Sequence, residues 1–247
     1  MDRFRKIDAL KSKLDAYRPL PPELVRNLRD DLNLRWTYHS NAIEGNTLTL
    51  KETKVALEGI TVGGKTMREH LEAVNHREAI HFVEELVQNK EKLTEWHIKS
   101  VHQLVLRTID DAHAGVYRKI NVFIAGADHT PPDALHVPEE MKAFISWYRE
   151  EATKLHAVER AARVHNDFVK MHPFTDGNGR TARLLMNLEL MKSGYPPAIL
   201  PIDKRLAYYE ALDLAHTKED FEPFLKLMIE IVEDGFRPFF HALGIRP

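Results

Sequence analysis

No cysteine occurs among the 247 residues. Disulfides and thiolate metal sites are thereby excluded, and a reducing compartment is favoured. No apolar run approaches the roughly 18 residues of a membrane-crossing helix, and the start, MDRFRKIDALKSK, lacks the apolar core of a signal peptide. Neither sign of charge dominates: 35 basic side chains stand against 37 acidic ones. No global attraction to nucleic acid or to a membrane follows from that balance. The fourteen histidines form no HExxH pair, which argues against a zinc site. Repeats and Gly/Ser linkers are also missing. These absences predict a soluble cytoplasmic protein with no nucleic-acid or membrane partner.

What is present is mostly helical patterning. Ile7, Leu10 and Leu14 share a face that RPLPPE (18–23) ends. Leu24, Leu28, Leu32 and Trp36 continue on a second helix from Pro22 toward His39. Ser40 and Glu44 are four apart and lie on one helix face, and Gly45-Asn46 reads as a stop. Thr49 with Glu52 begins a capping pattern. Helical stripes follow over 67–86, from Thr94 through Val105, from Pro138, over 151–170, over 202–215, and as one long helix over 221–242. Asn75 and His76 lie within the 67–86 stripe, as polar groups of a helix face or as functional groups. Residues 115–138 differ in character. Val122, Phe123 and Ile124 favour extended backbone, and Gly126 and Thr130-Pro131-Pro132 interrupt it, which predicts one β-hairpin.

The chemistry concentrates in residues 172–183, HPFTDGNGRTAR, ahead of a helix predicted over Thr181–Lys192. Gly177 and Gly179 bracket Asn178 and allow φ > 0 and close approach of a ligand. Successive amides of such a turn, with the helix N-terminus behind them, make an anion site. Arg180 and Arg183 suit bidentate contact with phosphate oxygens. Asp176 supplies the single carboxylate by which Mg²⁺ shared with substrate phosphates is usually held. His172 is a base that titrates near pH 7. Phe174, between them, is assigned to the core. Together these residues outline a phosphoryl- or nucleotidyl-transfer site. It is not a P-loop, because no Gly-Lys-Ser/Thr follows the turn.

The stretch resembles the signature of the Fic family, His-x-Phe-x-Asp/Glu-Gly-Asn-Gly-Arg-x-x-Arg, at every fixed position. Ser40-Asn-Ala-Ile-Glu44-Gly45 likewise resembles the family's inhibitory motif, Ser/Thr-x-x-x-Glu-Gly/Asn. The resemblance covers roughly residues 20–240 and implies an all-α, Fic-type helical bundle with one small β-hairpin flap. It divides the chain into N-terminal helices carrying the inhibitory motif (1–66) and a Fic core (67–247). It implies Mg²⁺-dependent transfer of AMP from ATP to a Ser, Thr or Tyr hydroxyl of a target protein. In that reading His172 is the base and Asp176 holds Mg²⁺. The Gly177, Asn178 and Gly179 amides and Arg180 cradle the phosphates, and Arg183 holds the γ-phosphate.

The resemblance also implies that Glu44 pairs with Arg183 and inhibits transfer; Ser40, one turn earlier, is placed to hold the Glu44 carboxylate. Residues Val122, Phe123, Ile124 and Ala125 match the flap that holds the target's segment by strand addition, the alternative being an ordinary connecting hairpin. Tyr208, Tyr209, Leu212 and His216 match the nucleoside pocket, the alternative being two tyrosines that pack a helix. His216 stands where the family often has Asn. Auto-AMPylation and a homodimer that modulates the glutamate belong to the same set of expectations. Alternatives are removal of AMP from a modified protein using Glu44, another donor such as UTP or CDP-choline, and a silent nucleotide-binding module.

Overall fold

Helix starts follow the chemistry of their first turns. Pro22 opens α2 (Pro22–Ile43), where a missing N–H costs nothing. Thr49 and Thr66 each accept from the N–H three residues on, while the Glu52 or Glu69 carboxylate accepts from the threonine's own N–H. These capping boxes begin α3 (Leu50–Leu57) and α4 (Met67–Gln88). Thr94 caps α5 (Glu95–Leu106). The computed structural model describes residues 3–246. Before those four helices comes α1 (Arg5–Asp15), and after them α6 (Val137–Glu150), α7 (Ala157–Met171), α8 (Asn178–Lys192), α9 (Arg205–Thr217), α10 (Glu222–Gly235) and α11 (Arg237–Ala242).

Every residue of α8 from Arg180 to Leu190 is buried, which makes α8 the axis of the molecule. A helix buried all round must be wrapped by others. Helix α7 runs back along it, and α4, α5 and α2 cover its remaining faces. Helices α1 and α2 send Ile7, Leu14, Trp36 and Ile43 into the same apolar cluster as Phe168, Phe174 and Leu184. Phe174 is fully buried there, as its place in the signature predicts. Among the described residues, no helix is long and apolar enough to cross a membrane.

Some expected boundaries are corrected. The hairpin over 115–138 does not form: no β-strand occurs among the described residues. Pro131 and Pro132 cannot donate to a ladder, and a side chain bridges the two arms instead. Arg118 donates from Nη1 to Ile120 O at 3.1 Å and from Nη2 to Pro132 O. The residues Val122, Phe123, Ile124 and Ala125 are therefore an irregular excursion turning at Ile124–Ala127. The helix expected over 151–170 is broken, because a 3-10 turn (Ala152–Lys154) intervenes and His156 Nδ1 accepts from Val158 N–H to start α7. The helix expected over 221–242 divides at Gly235–Arg237: Pro238 lies in the first turn of α11. Gly235 there packs so closely on Pro197 O that a β-carbon would stand 2.9 Å from it. Helix α8 begins three residues before Thr181, and α2 runs on past His39 to Ile43.

Candidate active site

Helix α7 ends at His172, whose left-handed backbone (φ 47°, ψ 59°) turns the chain out of the helix. Such a conformation is uncommon for a non-glycine residue and persists only where neighbours enforce it. Two carbonyl contacts do so: Arg118 Nε donates to His172 O at 2.8 Å, and Arg118 N–H to Pro173 O at 3.0 Å. The Asn178 side chain then folds the loop, accepting from Phe174 N–H at 3.0 Å and donating to Phe174 O at 2.8 Å. Asn178 thus offers an anion its backbone N–H rather than its buried side chain. Gly177 caps α8 with φ 76°, and a β-carbon there would lie 3.2 Å from His102 Nε2.

His102 is a residue that sequence reasoning missed. Its Nδ1 accepts from Gly115 N–H at 2.9 Å, which leaves Nε2 to donate to Asp176 O at 2.8 Å. Its ring stacks on Phe174, with ring centroids 3.6 Å apart and an interplanar angle of 4°. Nothing in local spacing links His102 or Arg118 to the loop, because both arrive from other elements.

Asp176 faces the mouth of the site, its side chain about half exposed. Oδ1 accepts from Gly177 N–H and from Arg180 Nη2 at 3.2 Å, and Oδ2 from Arg68 Nη2 at 2.6 Å. Burial would raise its pKa, but Arg180, the Gly177 amide and Arg68 together hold it below the usual value. Among the described residues there is no group of three or more His, Asp or Glu able to hold a metal. Asp176 therefore fits a hard cation whose other ligands are water and substrate oxygens, not an all-protein cage.

Arg183, buried, is held from three sides. Nε donates to Ser40 Oγ at 3.1 Å, and Nη2 to Ser40 O at 2.9 Å and Glu44 Oε1 at 2.7 Å. Nη1 reaches Tyr208 Oη at 3.4 Å. The expectation that Ser40 bonds the Glu44 carboxylate is corrected: Ser40 holds the arginine. Glu44 sits one residue past α2, and its side chain reaches over Gly179 while Ser40 faces α8.

A cleft of about 520 Å³ opens between the 123–127 turn and α9. Glu44, His172, Gly179, Tyr208, Tyr209, Leu212 and His216 border it, as do Phe123, Ile124 and Ala125, but not Val122. Phe123 is 89% exposed at its rim. Tyr208 is buried and its Oη shares a hydrogen bond with His165 Nε2 at 3.1 Å, so it packs and positions as well as lining. Tyr209 is partly exposed and donates to Ile43 O at 3.2 Å. His216 Nε2 donates to Asn166 O at 3.2 Å.

Burial pushes the His172 imidazole down to about 4, against the Val169 carbonyl and the Glu44 charge. The ring is thus neutral at pH 7 and able to accept a proton. His172 Nδ1 is buried on the side of the Val169 carbonyl, which is near enough to act on the ring but makes no well-aligned hydrogen bond with it. The ring borders the cleft, so Nε2 is the nitrogen for a reactant. The site can therefore hold an anion at the α8 N-terminus beside a carboxylate, with a neutral base alongside.

Residues 92–190 match the Fic/DOC family. The chain is 40% identical to protein adenylyltransferase Fic of Nematostella vectensis over 98% of its own length and 56% of that protein. It is 37% identical to protein adenylyltransferase fic-1 of Caenorhabditis elegans, covering 89% of this chain and 43% of that one. It thus spans about half the length of the curated relatives it matches. The solved structure of C. elegans Fic-1 superposes with a TM-score of 0.88 at 32% identity, over 98% of this chain and 72% of that one. A Fic-domain signalling protein from Bacteroides thetaiotaomicron superposes at 0.90 with 29% identity, over 97% of both chains. By sequence, fold and the layout of its site, this chain belongs to the Fic/DOC family.

Proposed function

We propose that the protein transfers AMP from ATP to a hydroxyl of a Ser, Thr or Tyr side chain on a target protein, and that Glu44 restrains the reaction. The observation that carries this reading is the neutral His172 imidazole in the same cleft as the α8 N-terminus and Gly179. Relatives named protein adenylyltransferases support it.

In this mechanism the amides of Asn178 and Gly179, that of Gly177 once Asp176 Oδ1 releases it, the α8 dipole and Arg180 hold the α- and β-phosphates. Asp176 would hold Mg²⁺, which when bound neutralises phosphate charge and draws the phosphates into line. His172 Nε2 takes the proton of the attacking hydroxyl, whose oxygen forms a bond to the α-phosphorus as the bond to the bridging oxygen breaks. Pyrophosphate leaves. Arg183 holds the γ-phosphate once Glu44 withdraws. The 122–125 segment would hold the target's extended segment at the rim, and Tyr209, Leu212 and His216 the nucleoside. In this reading residues 1–66 regulate and residues 67–247 catalyse.

A second reading, removal of AMP from a modified protein, is favoured by one contact. The Glu44 carboxylate borders the same cleft as His172, close enough for its charge to act on that ring, and is placed to orient a water.

Incubating labelled ATP with wild type, Glu44→Gly and Glu44→Gly/His172→Ala tests transfer, and returning the protein labelled by Glu44→Gly to wild type, which should release the label, tests removal. Label on protein should appear with Glu44→Gly and fall by about 10²–10⁴-fold in the double variant, as for loss of a general base. A folded Glu44→Gly/His172→Ala protein that labels as fast as Glu44→Gly would refute the base assignment.

A further inference from the structure

Both oxygens of the Asp176 carboxylate are engaged by cations of the protein itself. Arg180 comes from the same loop, four residues on, but Arg68 reaches in from α4, 108 residues away in the chain. The contacts close into a ring of alternating charge. Arg68 Nη2 lies 2.6 Å from Asp176 Oδ2, Asp176 Oδ1 lies 3.2 Å from Arg180 Nη2, Arg180 Nη1 lies 3.5 Å from Glu72 Oε1, and that oxygen lies 3.1 Å from Arg68 Nε. Glu72 is in turn fixed to the inhibitory turn: Asn46 Nδ2 donates to its Oε2 at 2.9 Å and Asn41 Nδ2 to its backbone O at 3.2 Å.

The two arginines are not equivalent. The Arg180 side chain is 3% exposed and wedged beneath the loop, whereas that of Arg68 is 55% exposed and free to swing into solvent. An incoming divalent cation that uses Asp176 must find an oxygen, and Oδ2 is the one whose present partner can leave. We propose that Arg68 is a built-in competitor of the metal at Asp176, a side chain on α4 that sets how readily the site loads. The proposal rests on the Mg²⁺-dependent reading above. An exposed ion pair is weak, so the competition amounts to about a three- to fivefold effect on metal affinity. It should fade as salt screens the pair.

The test is a titration of Mn²⁺, followed by the electron-paramagnetic signal of the free ion, into the full chain with one equivalent of α,β-methylene-ATP, the same titration of the nucleotide alone being subtracted. Wild type is compared with Arg68→Gln, Arg68→Lys and Asp176→Ala. Arg68→Gln should bind Mn²⁺ about three- to fivefold more tightly at low ionic strength, Arg68→Lys should stay near wild type, and the gap should close at high salt. Equal or weaker binding by Arg68→Gln overturns the competition while leaving the metal site standing. Absence of saturable Mn²⁺ binding in both wild type and Arg68→Gln, or binding that survives Asp176→Ala, overturns the metal assignment and the proposal with it.

Discussion

Glu44 Oε1 lies 2.7 Å from Arg183 Nη2, in space that exists only because residue 179 has no side chain: a β-carbon on Gly179 would stand 2.3 Å from that oxygen. The carboxylate therefore occupies the guanidinium's open fork and the approach to the α8 N-terminus together. An anion seeking the same fork meets both a filled site and a like charge.

Removing the carboxylate should release the site. Glu44→Gly is expected to raise AMP transfer, read as labelled protein from labelled ATP, by roughly 100-fold, the effect of about 1 Å of misalignment. Any AMP-removing activity should fall in the same variant. Equal transfer rates in wild type and Glu44→Gly at saturating ATP and Mg²⁺ would reduce Glu44 to a helix-end residue.

Ser40→Ala separates holding the glutamate from holding the arginine. Ser40 Oγ accepts from Arg183 Nε, and Ser40 O still accepts from Nη2 after the hydroxyl is gone. In a Glu44→Gly background, Ser40→Ala should weaken ATP binding by about three- to tenfold, the scale of one ordinary hydrogen bond, because the contact from Arg183 to Ser40 O remains. Binding of ADP, which has no γ-phosphate for Arg183, should change little. Calorimetric titration of both nucleotides checks this, and equal loss for ATP and ADP would contradict it.

Gly179→Ala should break the Glu44–Arg183 contact by steric clash yet fail to activate, because the same methyl group intrudes on the anion cradle. The comparison with Glu44→Gly is informative: both lose the ion pair, and only Glu44→Gly should gain transfer and ATP affinity. Activation by Gly179→Ala would show that the cradle tolerates a side chain there.

Four buried histidines and the half-buried His172 make the fold sensitive to acid. His102, His172 and His216 are pushed down to about 4 by burial, and His76 and His165 well below their usual value by burial and by Arg183. Between the unfolded value near 6.5 and the folded values, the unfolded chain binds more protons. The stabilisation is complete above about pH 6.5 and is lost as pH falls toward 4. The melting temperature should drop by at least roughly 5 °C from pH 7 to pH 5.5, at 2–4 °C per kcal/mol for a chain of this size. A flat melting temperature over that range would mean these rings are hydrated or already paired.

How much of this was legible in the chain divides by range. The capping box at Thr49 and the N-cap at Thr94 depend on neighbours within four residues, and local spacing carries that information, as the alternation of the signature does for the burial of Phe174. The signature itself is legible for the same reason, since His172, Asp176, Gly177, Gly179 and Arg180 all lie on one loop and the start of one helix. The excursion over 115–138 was misread as a hairpin, because β-propensity at Val122–Ile124 says nothing of where Arg118 will place its donors.

By itself, then, the sequence determined most of the helices and the glycine-bracketed turn that carries the signature residues, because backbone geometry and helix periodicity are properties of short segments. Only the tertiary structure decided that Ser40 grips Arg183 rather than Glu44, and that His102 and Arg118 hold the loop. It alone also brought Arg68 from α4 onto Asp176. Those contacts join residues as far as 143 positions apart, and nothing short of the packing of α2, α4, α5 and α7 around α8 specifies which distant side chains meet.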